Sequence, residues 1–65
     1  MQISINGTEQ NLEVKTIEEL LLNLGKKPEF LAVAVNKKFV PRNKYPEYQI
    51  FEGDRVEIVT PHPGG

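Results

Sequence analysis

The stretch MQISINGTEQNLEVKTIEELLLNLG, residues 1–25, decides the fold. Met1-Gln2-Ile3-Ser4-Ile5 alternates apolar and polar residues with period two, the pattern of a strand that buries one face. Asn6-Gly7 suits the positive φ angles of a tight hairpin turn. Leu12 and Val14 alternate with Asn11 and Glu13 and read as the return strand. A helix follows. Thr16 can cap its N-terminus, and Glu19 completes a capping box. Ile17, Leu20, Leu21 and Leu24 form a single apolar stripe facing the hairpin. Gly25 is placed to close the helix as a left-handed cap, with Lys26 and Lys27 near the negative end of the dipole. Leu22 lies off the stripe and has two readings, an edge-of-core residue or a partner contact.

Beyond Pro28, Leu31-Ala32-Val33-Ala34-Val35 is apolar on both pleat faces and reads as a strand well inside a sheet. Asn36-Lys37-Lys38 turns it into a short strand, Phe39-Val40, which Pro41 stops. Residues 42–52 are irregular, with a helical turn near Lys44–Glu47, and Tyr45, Tyr48, Ile50 and Phe51 pin the segment to the core. Glu52-Gly53-Asp54 is a turn, and residues 55–60 are the final strand. Pro61 and Pro63 forbid further ladder pairing, so the chain leaves the sheet there.

A hairpin, one helix and then three further strands segregate into an α+β fold, with the helix on one face of a mixed sheet. A right-handed crossover through the helix puts the first and last strands side by side, parallel and central. This is the β-grasp, ubiquitin-like arrangement. It divides the chain into a domain over residues 1–60 and a flexible C-terminal tail over 61–65. Fully extended, five residues reach at most about 17 Å.

Composition removes whole classes of function. At 65 residues the chain is one small domain, near the size at which folding without staples becomes difficult. It has no cysteine, which excludes disulfides, zinc–thiolate sites and thiol nucleophiles, and its single histidine cannot build a His-rich metal site. A net charge of −1 gives no electrostatic reason to bind nucleic acid or an anionic membrane. The apolar run ending at Val35 is far too short to span a bilayer. The expectation is a soluble, cytoplasmic protein with no bound cofactor or metal.

The sequence closes on Gly64-Gly65. Two residues without side chains give an unhindered carboxylate that a narrow enzyme channel can admit. His62 reads as a spacer rather than a proton relay, because a base on a mobile tail is not fixed. On the final strand, Val59 shares a pleat face with Arg55 and Glu57, whereas Val56 and Ile58 point the other way. Val59 is therefore a docking candidate or a lone surface apolar residue. Phe39 reads as core filler first and an exposed contact second. Lys37, Lys38, Arg42 and Lys44 read as a solvated loop, or as a group that steers acidic partners.

The chain resembles the ThiS family, the ubiquitin-like sulfur carrier proteins of thiamine biosynthesis. Three segments carry the resemblance: Leu31-Ala32-Val33-Ala34-Val35-Asn36, Val40-Pro41-Arg42, and Glu52-Gly53-Asp54-Arg55-Val56-Glu57-Ile58-Val59, with Gly64-Gly65 completing it. Pro61, His62 and Pro63 depart from it in making a stiffer tail. The resemblance implies a carrier, not an enzyme. An adenylating enzyme uses MgATP to activate Gly65, a sulfur-donor protein displaces AMP to leave a thiocarboxylate, and thiazole synthase takes the sulfur. Gly64 and Pro63 then serve entry into partner active sites, while Val59, Arg55, Glu57 and Phe39 are the docking candidates. Three other readings stand beside it: a molybdopterin-synthase small subunit, a ubiquitin-like protein modifier, and a bare interaction domain.

Overall fold

The computed structural model describes residues 1–60. Pro61, His62, Pro63, Gly64 and Gly65 lie outside the described residues, and so does the expected tail. Five strands and one helix follow in the order β1 (Gln2–Ile5), β2 (Thr8–Asn11), α1 (Ile17–Leu24), β3 (Ala32–Val35), β4 (Lys38–Val40) and β5 (Arg55–Val59). Short 3-10 turns over Pro28–Phe30 and Arg42–Lys44 flank the β3–β4 hairpin. The sheet order is β2-β1-β5-β3-β4. Strand β5 is central, parallel to β1 and antiparallel to β3, and β2 and β4 are the edges. The expected mixed β-grasp sheet is present.

The local signals act as read. Thr16 Oγ1 accepts from Glu19 N at 3.2 Å, and the Glu19 carboxylate accepts from Lys15 N at 2.8 Å. The reciprocal bond of the capping box thus falls one residue before the cap itself. At the other end Gly25 takes φ 71°, and Lys26 N–H reaches back to Leu21 O at 2.9 Å, closing a Schellman motif.

The core is one layer between α1 and the inner face of the sheet. Ile17, Leu20 and Leu21 from the helix meet Ile3 and Ile5 of β1, Val33 and Val35 of β3, Val40 of β4, and Val56 and Ile58 of β5. Among the described residues no polar or charged side chain is buried. Tyr45 and Ile50 join this core, and Tyr48 and Leu24 are partly buried against it.

Four expectations need correction. The return strand is Thr8–Asn11, not the Leu12–Val14 alternation. The Asn6-Gly7 turn is so tight that pairing starts at Thr8, and only Leu12 N–H, bonded to Met1 O at 2.9 Å, prolongs it. Val14 is buried beyond the strand, on the approach to the helix. Phe39 is not core filler but 69% exposed. The β3–β4 turn holds only Asn36 and Lys37, at φ 52° and 71°, so Lys38 already belongs to β4. The register then sets Phe39 opposite Ala34 and Val40 opposite Val33, and strand parity turns Phe39 outward. Phe51 is exposed rather than pinned. It opens the turn into β5, where Asp54 N–H donates to Phe51 O at 3.0 Å and Asp54 Oδ2 accepts from Phe51 N at 2.9 Å. Leu22 stands fully out on α1, which removes the edge-of-core reading. The helical turn expected near Lys44–Glu47 is present, closed by Tyr48 N–H to Lys44 O at 2.8 Å, and the 3-10 turn over Arg42–Lys44 leads into it.

A domain this small has roughly 5 kcal/mol of net stability. Leu20→Ala, at a wholly buried site, is expected to cost about 2–5 kcal/mol, a large part of that margin. Leu22→Ala is expected to change stability by less than about 0.5 kcal/mol. Urea unfolding followed by circular dichroism separates the two. A second expectation concerns Tyr45, whose phenol pKa is raised by burial, with Arg42 working weakly against the shift. Because the folded value lies above the unfolded one of about 10, the neutral phenol's advantage is fully present below pH ~10 and is lost as pH rises through the folded pKa. The parent protein should lose more stability than Tyr45→Phe between pH 8 and 11, read from urea midpoints.

Candidate functional site

With the helix covering the inner face, the outer face of the sheet is open, and the register fixes what it shows. Gln2 lies opposite Asn11 and Ser4 opposite Glu9, and Ser4 is beside Arg55 on β5. The Gln2 carboxamide donates to the Glu9 carboxylate. One end of this face is therefore polar. Toward the other end, Ala34 is flanked by Phe39 on β4 and Glu57 on β5, and Ala32 pairs with Val59. The face grades from polar to apolar in the direction in which the chain leaves β5.

The apolar end has a shape. Ala32 and Ala34 form the floor of a shallow groove, and Phe39, Val59 and Glu57 form its walls. Two small side chains between two large ones make the depression. Phe39 is 69% and Val59 60% exposed, and large apolar side chains clustered in the open mark contact surfaces more often than singly exposed ones do. At about 270 Å³ the groove falls below the ~300–1,000 Å³ typical of small-molecule sites. Glu57 adds a carboxylate at the wall, so the partner chemistry that fits is an apolar side chain with a donor or cation beside it.

Of the four docking candidates, Val59, Glu57 and Phe39 come together on this groove. Arg55 does not. It shares the outer face but lines a separate polar depression with Gln2, Ser4, Glu9, Glu52 and Gly53. Lys37 and Lys38 are exposed at the β3–β4 hairpin, and Arg42 and Lys44 sit beyond Pro41 on the next turn. Gly65, Gly64 and Pro63 lie outside the described residues. Among the described residues no cluster of His, Cys, Asp or Glu could hold a metal ion, and no helix is long and apolar enough to cross a membrane. The sequence reading missed the two alanines. Their small size within an otherwise branched strand was the available signal.

A five-stranded mixed sheet with parallel neighbours β1 and β5 and one helix across one face defines the β-grasp, the ubiquitin-like class of small protein. Within that class the chain belongs to the ThiS family, whose model matches residues 3–65. It is similar to the crystal structure of a thiamine biosynthesis protein (ThiS) from Geobacter metallireducens, with a TM-score of 0.86 and 25% identity over the whole of both chains. A solution structure from the same organism matches all of this chain and 88% of its own, with a TM-score of 0.81. Among curated relatives it is 38% identical to a thiazole synthase of Paramagnetospirillum magneticum and 41% identical to one of Magnetococcus marinus. In both cases the whole chain aligns, yet it spans only 20% of the relative's length.

Proposed function

We propose that the protein is a sulfur carrier of thiamine biosynthesis, whose Gly65 is adenylated, converted to a thiocarboxylate and drawn on by thiazole synthase. Membership of the ThiS family over residues 3–65 is the observation that carries this reading. The likeness to thiazole synthases supports such an enzyme as the acceptor. The chemistry suits the residue types. A C-terminal carboxylate has a pKa near ~3.5 and is ionised at neutral pH. One of its oxygens attacks the α-phosphorus of MgATP bound by an adenylating enzyme, and pyrophosphate leaves. The resulting acyl-adenylate is a good electrophile, as the carboxylate is not. A sulfur nucleophile delivered by a donor protein attacks the Gly65 carbonyl, the C–O bond to AMP breaks, and sulfur remains on the carrier. Gly64 leaves the carbonyl uncrowded, and Gly64 and Pro63 are the tail residues that enter partner active sites. With no cysteine in the chain, no internal thiol competes for the activated acyl group. The protein acts as a co-substrate, in the cytoplasm where MgATP is available.

Docking belongs to the outer face, where the groove between Phe39 and Val59 lies at the end of β5 next to Thr60.

Incubation with MgATP, a cognate adenylating enzyme and sulfide should raise the intact mass by one oxygen-to-sulfur exchange, and deletion of Gly65 should abolish the change. High-mass conjugates to other proteins would point to a modifier instead. Protein from cells that always carries untrimmed residues beyond Gly65 would overturn the reading. Val59→Asp and Phe39→Asp, each at an exposed site, should weaken binding to the adenylating enzyme about tenfold or more by calorimetry, with unchanged unfolding midpoints.

A further inference from the structure

A carrier that delivers its own end needs a firm anchor where the tail begins, and the two sides of β5 supply that anchor differently. On the β3 side the backbone ladder reaches Val59, paired with Ala32. On the β1 side the parallel register covers only Ser4 with Arg55 and Ile5 with Val56, because the chain turns away at Asn6-Gly7. Ser4 N–H donates to Asp54 O at 3.0 Å, and Asn6 N–H to Val56 O at 2.9 Å. The next step of the ladder calls for an acceptor facing Ile58 N–H and a donor facing Ile58 C=O. The Asn6 side chain provides both. Its Oδ1 accepts from Ile58 N at 2.8 Å, and its Nδ2 donates to Ile58 O at 3.1 Å. A carboxamide carries the same donor and acceptor as a peptide unit, so the ladder continues through a side chain after the backbone has left. Asn6 does this from φ 51°, a left-handed conformation that asparagine tolerates better than most residues.

A second asparagine makes the comparison sharp. Asn36, also in a hairpin turn and at φ 52°, accepts from Arg55 N at 3.0 Å and donates to Asp54 Oδ1 at 3.1 Å. It clamps the start of β5, remote from the tail. Asn6 clamps the finish.

We propose that Asn6 is a positioning residue for the transfer of the tail. By holding Ile58, it fixes the point and direction from which Val59 and Thr60 lead residues 61–65 into a partner's active site. This rests on the reading of those residues as the delivering arm. Each residue of β5 that frayed would have to be re-ordered on docking, at a cost of about an order of magnitude in affinity.

The test uses the full chain with Asn6→Gly, Asn6→Asp and Asn36→Gly, substitutions compatible with positive φ. Amide hydrogen exchange at Ile58, relative to Val33, should accelerate about tenfold in Asn6→Gly. Asn6→Asp, which keeps the acceptor, should restore most of the protection. In steady-state activation by the adenylating enzyme with MgATP, Asn6→Gly should raise the KM for the carrier about tenfold with kcat unchanged, and Asn36→Gly should leave KM as it is. Equal KM effects of the two glycine variants would reduce Asn6 to a stabilising residue and overturn the proposal, as would unchanged exchange at Ile58. If even the parent chain is not activated, the delivery reading fails and takes the transfer role with it. The exchange rates then still decide whether the clamp on Ile58 exists.

Discussion

The pairing of the first strand with the last is the constraint on which everything else rests. β1 and β5 run parallel, and parallel neighbours cannot be joined by a turn; the chain between them must cross the sheet. Helix α1 makes the crossing and buries the face it crosses, so one element solves both problems. Its stripe of Ile17, Leu20 and Leu21 meets inward residues from four of the five strands. A core one layer thick leaves no reserve. The other face of the sheet is left uncovered.

That uncovered face is organised by parity. Val56 and Ile58 point to the helix, so Arg55, Glu57 and Val59 cannot. With Ala32 and Ala34 on the adjoining strand and Phe39 beyond them, the outward set is sorted along β5, polar where the strand begins and apolar where it ends. The sorting puts the exposed apolar side chains of Phe39 and Val59 beside the end of β5 and the polar groups beside its start.

Much of this was legible in the residues. The hairpin, the capped helix with its glycine stop, the proline that ends β4 and the alternation of β5 are local signals, and each formed where its chemistry pointed. Two of the misreadings share one cause, the length of turns. A turn of Asn36-Lys37 instead of Asn36-Lys37-Lys38 reverses the parity of β4 and moves Phe39 from core to surface. A turn confined to Asn6-Gly7 starts β2 before the Leu12–Val14 alternation. Phe51 was assigned inward by its hydrophobicity, but it heads a turn held by the Asp54 carboxylate, a contact no periodicity encodes. The groove was half visible: Val59 stood out against its charged neighbours, while Ala32 and Ala34 only became a floor once the sheet order placed them between Phe39 and Val59. The hydrogen bonds between the Asn6 carboxamide and Ile58 span 52 positions in sequence and belong wholly to the tertiary structure.

The margins of the sheet carry a consequence of their own. β2 offers four residues, Thr8 to Asn11, all polar, and β4 offers three, opening on a lysine. Borders this brief, one wholly polar and the other opening on a lysine, give a second copy little to zip onto, a safeguard against strand-to-strand polymerisation.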